Sequence, residues 1–109
     1  MLVIVDYQAG NLKSVERACA EVGAEALVSG DPEKIRQASR LIFPGVGAAG
    51  AAMASLREAG IDEAIREFFN LGRPILGICL GLQISLNYSE ENQTKTLDLV
   101  SGEVKKFRL

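Results

Sequence analysis

Pro74-Ile75-Leu76-Gly77-Ile78-Cys79-Leu80-Gly81-Leu82-Gln83 is the stretch on which the fold turns. Ile75 to Ile78 is an apolar run that reads as a buried strand. A cysteine between two glycines follows, Gly77-Ile78-Cys79-Leu80-Gly81, and then a helix-like stretch from Leu82 to Asn87. Strand, Gly-x-Cys-x-Gly and helix, in that order, form the pattern of a nucleophile elbow. Such a sharp turn needs small residues on either side of the nucleophile, and Gly77 and Gly81 supply them. Cys79 is therefore the candidate nucleophile, suited to attack on an acyl or amide carbon with formation of a thioester. The competing reading is a structural cysteine, because free Cys is often buried. The composition adds a difficulty: the chain contains no histidine, and a cysteine nucleophile commonly relies on one as its base.

Outward from the elbow, strand and helix patterns alternate. Leu2 to Val5 reads as a buried strand and Asn11 to Val22 as a helix, with Leu12, Val15, Ala18, Cys19 and Val22 on one face. Ala26 to Val28 is a second strand. Asp31-Pro32-Glu33 then provides an N-cap, a first-turn proline and a first-turn acid for a short helix reaching about Ala38. Arg40 to Phe43 is the third strand, halted by Pro44-Gly45. Ala48 to Ala59 reads as a helix with Met53 and Leu56 inward, and Ile61, Ile65, Phe68 and Phe69 mark the next. After the elbow helix, Asn87 to Thr96 is polar and reads as a surface loop. Leu97 to Val100 and Val104 to Leu109 read as extended pieces about a Ser101-Gly102 turn. Four strands separated by helices predict an α/β fold: a doubly wound, mainly parallel sheet with helices on both faces. Ligands on such sheets bind beyond the carboxyl ends of the strands. The loops Asp6–Gly10, Pro44–Gly47 and Cys79–Gly81 all fall there.

Each of these loops has a plain and a functional reading. Pro44-Gly45-Val46-Gly47 is either a tight strand-to-helix connection or an oxyanion loop whose backbone N–H groups face a developing negative oxygen. The N–H of Leu80, just after the nucleophile, would be the second donor. Asp6-Tyr7-Gln8-Ala9-Gly10-Asn11 is either a strand end leading into a helix or a set of polar groups facing a partner or ligand. Gln83 lies one helical turn beyond Cys79, where it can share its side of the helix or simply face solvent. Cys19 belongs to the core stripe of its helix. Tyr88 and Glu90-Glu91 read as solvated surface rather than acid–base machinery.

The bulk properties narrow the function classes. In 109 residues, 48% are hydrophobic and the formal net charge is −2. The apolar share is ample for one domain's core, and the balance of charge gives no footprint for nucleic acid. No apolar run approaches the roughly 20 residues of a membrane span, and the first residues lack the basic region of a signal peptide. Two cysteines make no disulfide framework, so a reduced, cytoplasmic setting is expected. No cofactor and no metal are expected.

Taken together, the motifs resemble those of the class I (triad) glutamine amidotransferases, and among these the glutaminase subunits of histidine biosynthesis. Asp6-Tyr7-x-x-Gly10-Asn11-Leu12-x-Ser14-Val15 is similar to their N-terminal signature, Phe43 to Gly47 to their oxyanion strand, and Gly77 to Gln83 to their nucleophile elbow. Ser89-Glu90-Glu91 and the pattern from Leu97 through Gly102 and Val104 to Phe107 also fit. Gln8 stands where glycine is usual, and Leu82 where sister enzymes acting on chorismate or nucleotides commonly have His. The resemblance implies that Cys79 attacks glutamine, Gln83 contacts it, and the Val46–Gly47 backbone belongs to the oxyanion hole with Leu80. It places Asn11 near the interface with a cyclase subunit of β/α-barrel fold, to which ammonia passes.

The likeness covers residues 1–109 as the N-terminal part of a single glutaminase domain, without the part that carries the family's catalytic His and Glu. The chain by itself is therefore expected to be inactive. It is also expected to leave a sheet edge and an apolar face bare, and so to self-associate. Two other functions remain open on the residues alone. One is a non-catalytic binding or scaffold module; the other is a cysteine-elbow enzyme that uses a carboxylate in place of His.

Overall fold

A computed structural model describes residues 1–8 and 11–107. Its main sheet is built from β1 (Leu2–Val5), β2 (Ala26–Ser29), β3 (Arg40–Phe43) and β4 (Ile75–Gly77). All are parallel, in the order β2-β1-β3-β4. The helices between them are α1 (Leu12–Glu21), α2 (Pro32–Gln37), α3 (Ala49–Ala59) and α4 (Ile61–Asn70), and α5 (Leu80–Ile84) follows the elbow. This is the α/β architecture the alternation predicts.

Local chemistry explains where the elements start and stop. The Asn11 side chain accepts from the Ser14 N–H at the head of α1, and Asp31 accepts from the Glu33 N–H at the head of α2, where Pro32 needs no donor. Gly60, at φ 73°, ends α3 and opens α4 in one step. Alternation along the strands then sorts the side chains between two layers. Val3, Val5, Leu41 and Phe43 join Ile35, Met53, Leu56, Ile65 and Phe68 in the larger core, under α2 to α5. Leu2 and Ile4 point the other way and pack with Leu12, Val15 and Cys19 of α1. Cys19 is thus a core residue, as its place on the helix stripe predicts, whereas Phe69 turns outward beside the buried Phe68.

β4 is an edge strand. On the α1 side of the sheet, Leu76 stands next to Ile42 in the register and remains 57% exposed. Ile78 and Leu82 are exposed as well.

The chain after the elbow departs from expectation. α5 runs from Leu80 to Ile84, not from Leu82 to Asn87. Its length is limited by the segment expected to be a strand, Leu97 to Val100. There the N–H groups of Leu97, Asp98 and Leu99 donate to the carbonyls of Ile84, Leu86 and Ser85 at 2.8, 2.8 and 3.0 Å. That segment satisfies the open end of a helix and forms no ladder. The expected surface loop from Asn87 to Thr96 is partly structured and partly buried. It contains β5 (Tyr88–Ser89), a 3₁₀ turn (Glu91–Gln93) and β6 (Thr94–Lys95), and Ser89 and Thr96 are enclosed. β5 pairs with β6 antiparallel and with β7 (Glu103–Val104) parallel. Of the expected extended piece from Val104 onward only Val104 lies in a strand, and its last two positions fall outside the described residues.

Candidate active site

The elbow begins with the hydrogen bond from the Ile78 N–H to the Phe43 carbonyl, 3.0 Å, which carries the β3–β4 pairing one residue past the strand. The chain then reverses at Cys79, with φ 53° and ψ −118°. Few side-chain-bearing residues adopt this backbone, which costs on the order of 1–3 kcal/mol. Two close approaches make the turn possible. A Cβ on Gly81 would lie 1.8 Å from the Phe43 carbonyl oxygen, and one on Gly77 would lie 2.9 Å from Cα of Leu82. Both flanking glycines are required by sterics. The Cys79 thiol is exposed. Among the described residues, no carboxylate or other base hydrogen-bonds its sulfur.

Gln83 follows one turn later, and its N–H donates to the Cys79 carbonyl at 3.1 Å. Both residues are exposed, the expected nucleophile at the N-cap of α5 and the expected substrate contact one turn further along the helix.

The Pro44–Gly47 loop meets the elbow directly. Pro44 and Gly45 are buried, Val46 is 63% exposed, and Gly47 has a φ of 105°. The Leu80 N–H, expected to be a free oxyanion donor, instead donates to the Gly45 carbonyl at 3.0 Å. Leu80 is buried, and a buried amide takes a backbone acceptor when one is within reach. The loop and the elbow are therefore adjacent as expected, with the donor engaged.

Two contributions to this loop are not evident from local sequence patterns. Tyr7 is buried, its hydroxyl donates to the Pro44 carbonyl at 2.6 Å, and its ring lies 5.3 Å from that of Phe43. Burial raises the Tyr7 phenol pKa above its ordinary value. On the other side, Glu91 accepts from the Ala49 N–H at 2.8 Å and Asn92 Oδ1 accepts from the Gly50 N–H at 3.3 Å. These two residues cap α3, which begins just after the loop and whose own N-cap, Ala48, has no side chain to do so. Glu91 lies at the surface, as read, and its contact gives it a structural role in addition. The clue is an uncapped helix that needs acceptors from elsewhere, although nothing in the sequence indicates which residues provide them.

Asn11 is exposed at the head of α1, near the carboxyl end of β1. Of the Asp6–Gly10 loop, Ala9 and Gly10 lie outside the described residues. Asp6 and Gln8 line a cavity of about 470 Å³ with Tyr7, Gly30, Ser55 and Glu58. Cys79 is not among its lining residues.

A parallel sheet whose edge strand ends in a strained, exposed cysteine defines the cysteine-elbow class of α/β domain. Comparison with known proteins narrows this: residues 3–105 match the family model of glutamine amidotransferase class-I, and the chain belongs to that family. It is 51% identical over 107 residues to imidazole glycerol phosphate synthase subunit HisH of Nitratidesulfovibrio vulgaris (strain DP4), an alignment covering 98% of this chain and 50% of the relative. The corresponding subunit of Chlorobaculum tepidum is 48% identical over 108 residues, covering 98% and 54%. A crystal structure of a glutamine amidotransferase superimposes with a TM-score of 0.79 at 20% identity, covering 94% of this chain and 54% of that one. The chain thus spans about half the length of the curated relatives it matches. Among its described residues no helix is long and apolar enough to cross a membrane.

Proposed function

We propose that this chain supplies the nucleophile and the oxyanion loop of a glutaminase that provides ammonia to a cyclase in histidine biosynthesis. The observation that carries the reading is the Cys79 backbone, at φ 53°, which presents an exposed thiol at the end of β4 beside the Pro44–Gly47 loop. In the proposed reaction Cys79 Sγ, having lost its proton to a base, attacks the side-chain amide carbon of glutamine. The C–N bond breaks, nitrogen gains a proton and leaves as ammonia, and a glutamyl thioester remains. Water then attacks the thioester, releasing glutamate and restoring the thiol. The negative oxygen of each tetrahedral intermediate would be held by the Leu80 N–H and the Val46–Gly47 backbone. Because the Gly45 carbonyl occupies the Leu80 N–H, the Gly45–Val46 peptide has to turn before that donor can serve.

Gln83 is assigned to the glutamine and Asn11 to the interface with the β/α-barrel cyclase. With no histidine in the chain, the base comes from the remainder of a domain of which residues 1–109 form the N-terminal part. The test is ammonia release from glutamine by the chain alone, and by the chain co-expressed with a cyclase and the C-terminal half of the Nitratidesulfovibrio relative. The first is expected to be inactive. The second is expected to be active, with activity abolished by Cys79→Ala. Release by the chain alone, lost in Cys79→Ala, would show that a group other than His serves as base. An assembled but inactive complex would favour a binding module.

A further inference from the structure

We propose that Tyr7 is a positioning residue of the oxyanion loop: its hydroxyl, by holding the Pro44 carbonyl, keeps Gly45 in the arrangement that occupies the Leu80 N–H. The inference rests on the reading of Leu80 as an oxyanion donor. Packing alone would be served equally by phenylalanine, since the ring sits in the core against Phe43. The hydroxyl is the additional element, and a buried hydroxyl needs an acceptor. It finds one at Pro44, immediately before the glycine whose carbonyl takes the Leu80 N–H.

Consecutive carbonyls are thus held from two different elements, Pro44 by the segment after β1 and Gly45 by the elbow. The fit is close. A Cβ on Gly45 would fall 2.0 Å from the Tyr7 hydroxyl oxygen and 3.3 Å from Cβ of Leu80, so the glycine is enclosed between the two side chains. Beyond it Val46 is largely exposed, and among the described residues nothing lies within 4 Å of the Cβ position at Gly47. Pro44 has no N–H of its own with which to anchor the loop. Among the described residues, two hydrogen bonds hold the loop before the exposed Val46, and Tyr7 makes the one that does not involve the donor itself. Turning the Gly45 carbonyl away from Leu80 is easier once the bond to Pro44 is gone.

The test is amide hydrogen exchange by NMR on the 109-residue chain and on Tyr7→Phe, which keeps the ring. The Leu80 amide is expected to exchange at least threefold faster in the variant, the loss of one neutral hydrogen bond allowing a factor of up to about ten. The amides of Ile4 and Val5 in β1 are expected to change by less than twofold. A Leu80 change under threefold, or an equal acceleration at Ile4 and Val5, would overturn the proposal, the latter by reducing Tyr7 to a stability residue. Should Tyr7→Phe fail to fold, the unsubstituted chain decides. A slowly exchanging Tyr7 hydroxyl proton with a cross-peak to Pro44 supports the bond, and its absence overturns it. These readouts do not depend on ammonia release, so failure of the glutaminase reading would be separately visible.

Discussion

The two faces of the four-stranded sheet are covered very unequally. Under α2 to α5, Val3, Val5, Leu41 and Phe43 are all at most 2% exposed. On the other side, among the described residues, only α1 is present, and it packs over β1, β2 and Ile42 of β3, leaving Leu76 on β4 57% exposed. Both faces use the same residue types, so hydrophobicity does not distinguish them. What differs is the number of helices available to each, and the bare region lies beside the strand that ends at the candidate nucleophile. The closed face sets the backbone of the site. The open face is surface of the kind that other chain segments cover.

The largest test of this contrast is Phe68→Ala on the closed face. Phe68 is fully buried, and the substitution is expected to cost about 3–5 kcal/mol in chemical denaturation. A loss below 1 kcal/mol would remove the distinction between the faces. Glu91→Ala should cost less, about 1 kcal/mol, by uncapping α3. Glu91→Gln, which keeps an acceptor oxygen, should recover part of that loss. Leu76→Ser on the open face should change stability by no more than about 0.5 kcal/mol and should reduce self-association measured by light scattering. A parent chain that is a clean monomer would show that the exposed apolar residues do not draw copies together.

The smallest effect appears only at high pH. The Tyr7 phenol pKa is raised in the folded chain, so its contribution is fully present below the ordinary tyrosine value of about 10 and is lost as the pH climbs through the raised one. The stability difference between the parent and Tyr7→Phe is therefore expected to shrink above about pH 10 in denaturation measured against pH.

Legibility in the sequence followed the range of the interactions. β1 and β3 are apolar runs with clear ends, and α2 carries its own cap and proline, so local reading placed all three. The elbow was legible because the Gly-x-Cys-x-Gly pattern is itself local, although Gly81 answers a close approach to the Phe43 carbonyl on β3. The segment from Leu97 to Val100 looked extended because it is apolar. Its N–H groups in fact serve the end of α5, an interaction between residues more than ten positions apart that periodicity does not encode. β5 and its partners are two-residue ladders, too short to leave an alternation. In the site, Cys79, Gln83 and the Pro44–Gly47 turn were each visible in a motif. The engaged state of the Leu80 N–H and the part played by Tyr7 were not, because both arise from contacts between separate motifs.

The cap on α3 also bears on the order in which the protein takes shape as it is made. Glu91 reaches back across 42 positions to the Ala49 N–H. A chain emerging from the ribosome has its Pro44–Gly47 turn and the whole of α3 in hand well before residue 91 has been added. Until then the first turn of that helix has only water to satisfy it. The hairpin that carries Glu91 therefore finishes a structure begun 42 positions earlier, and a ribosome that pauses between residues 60 and 90 leaves the first turn of α3, beside the candidate oxyanion loop, without its cap.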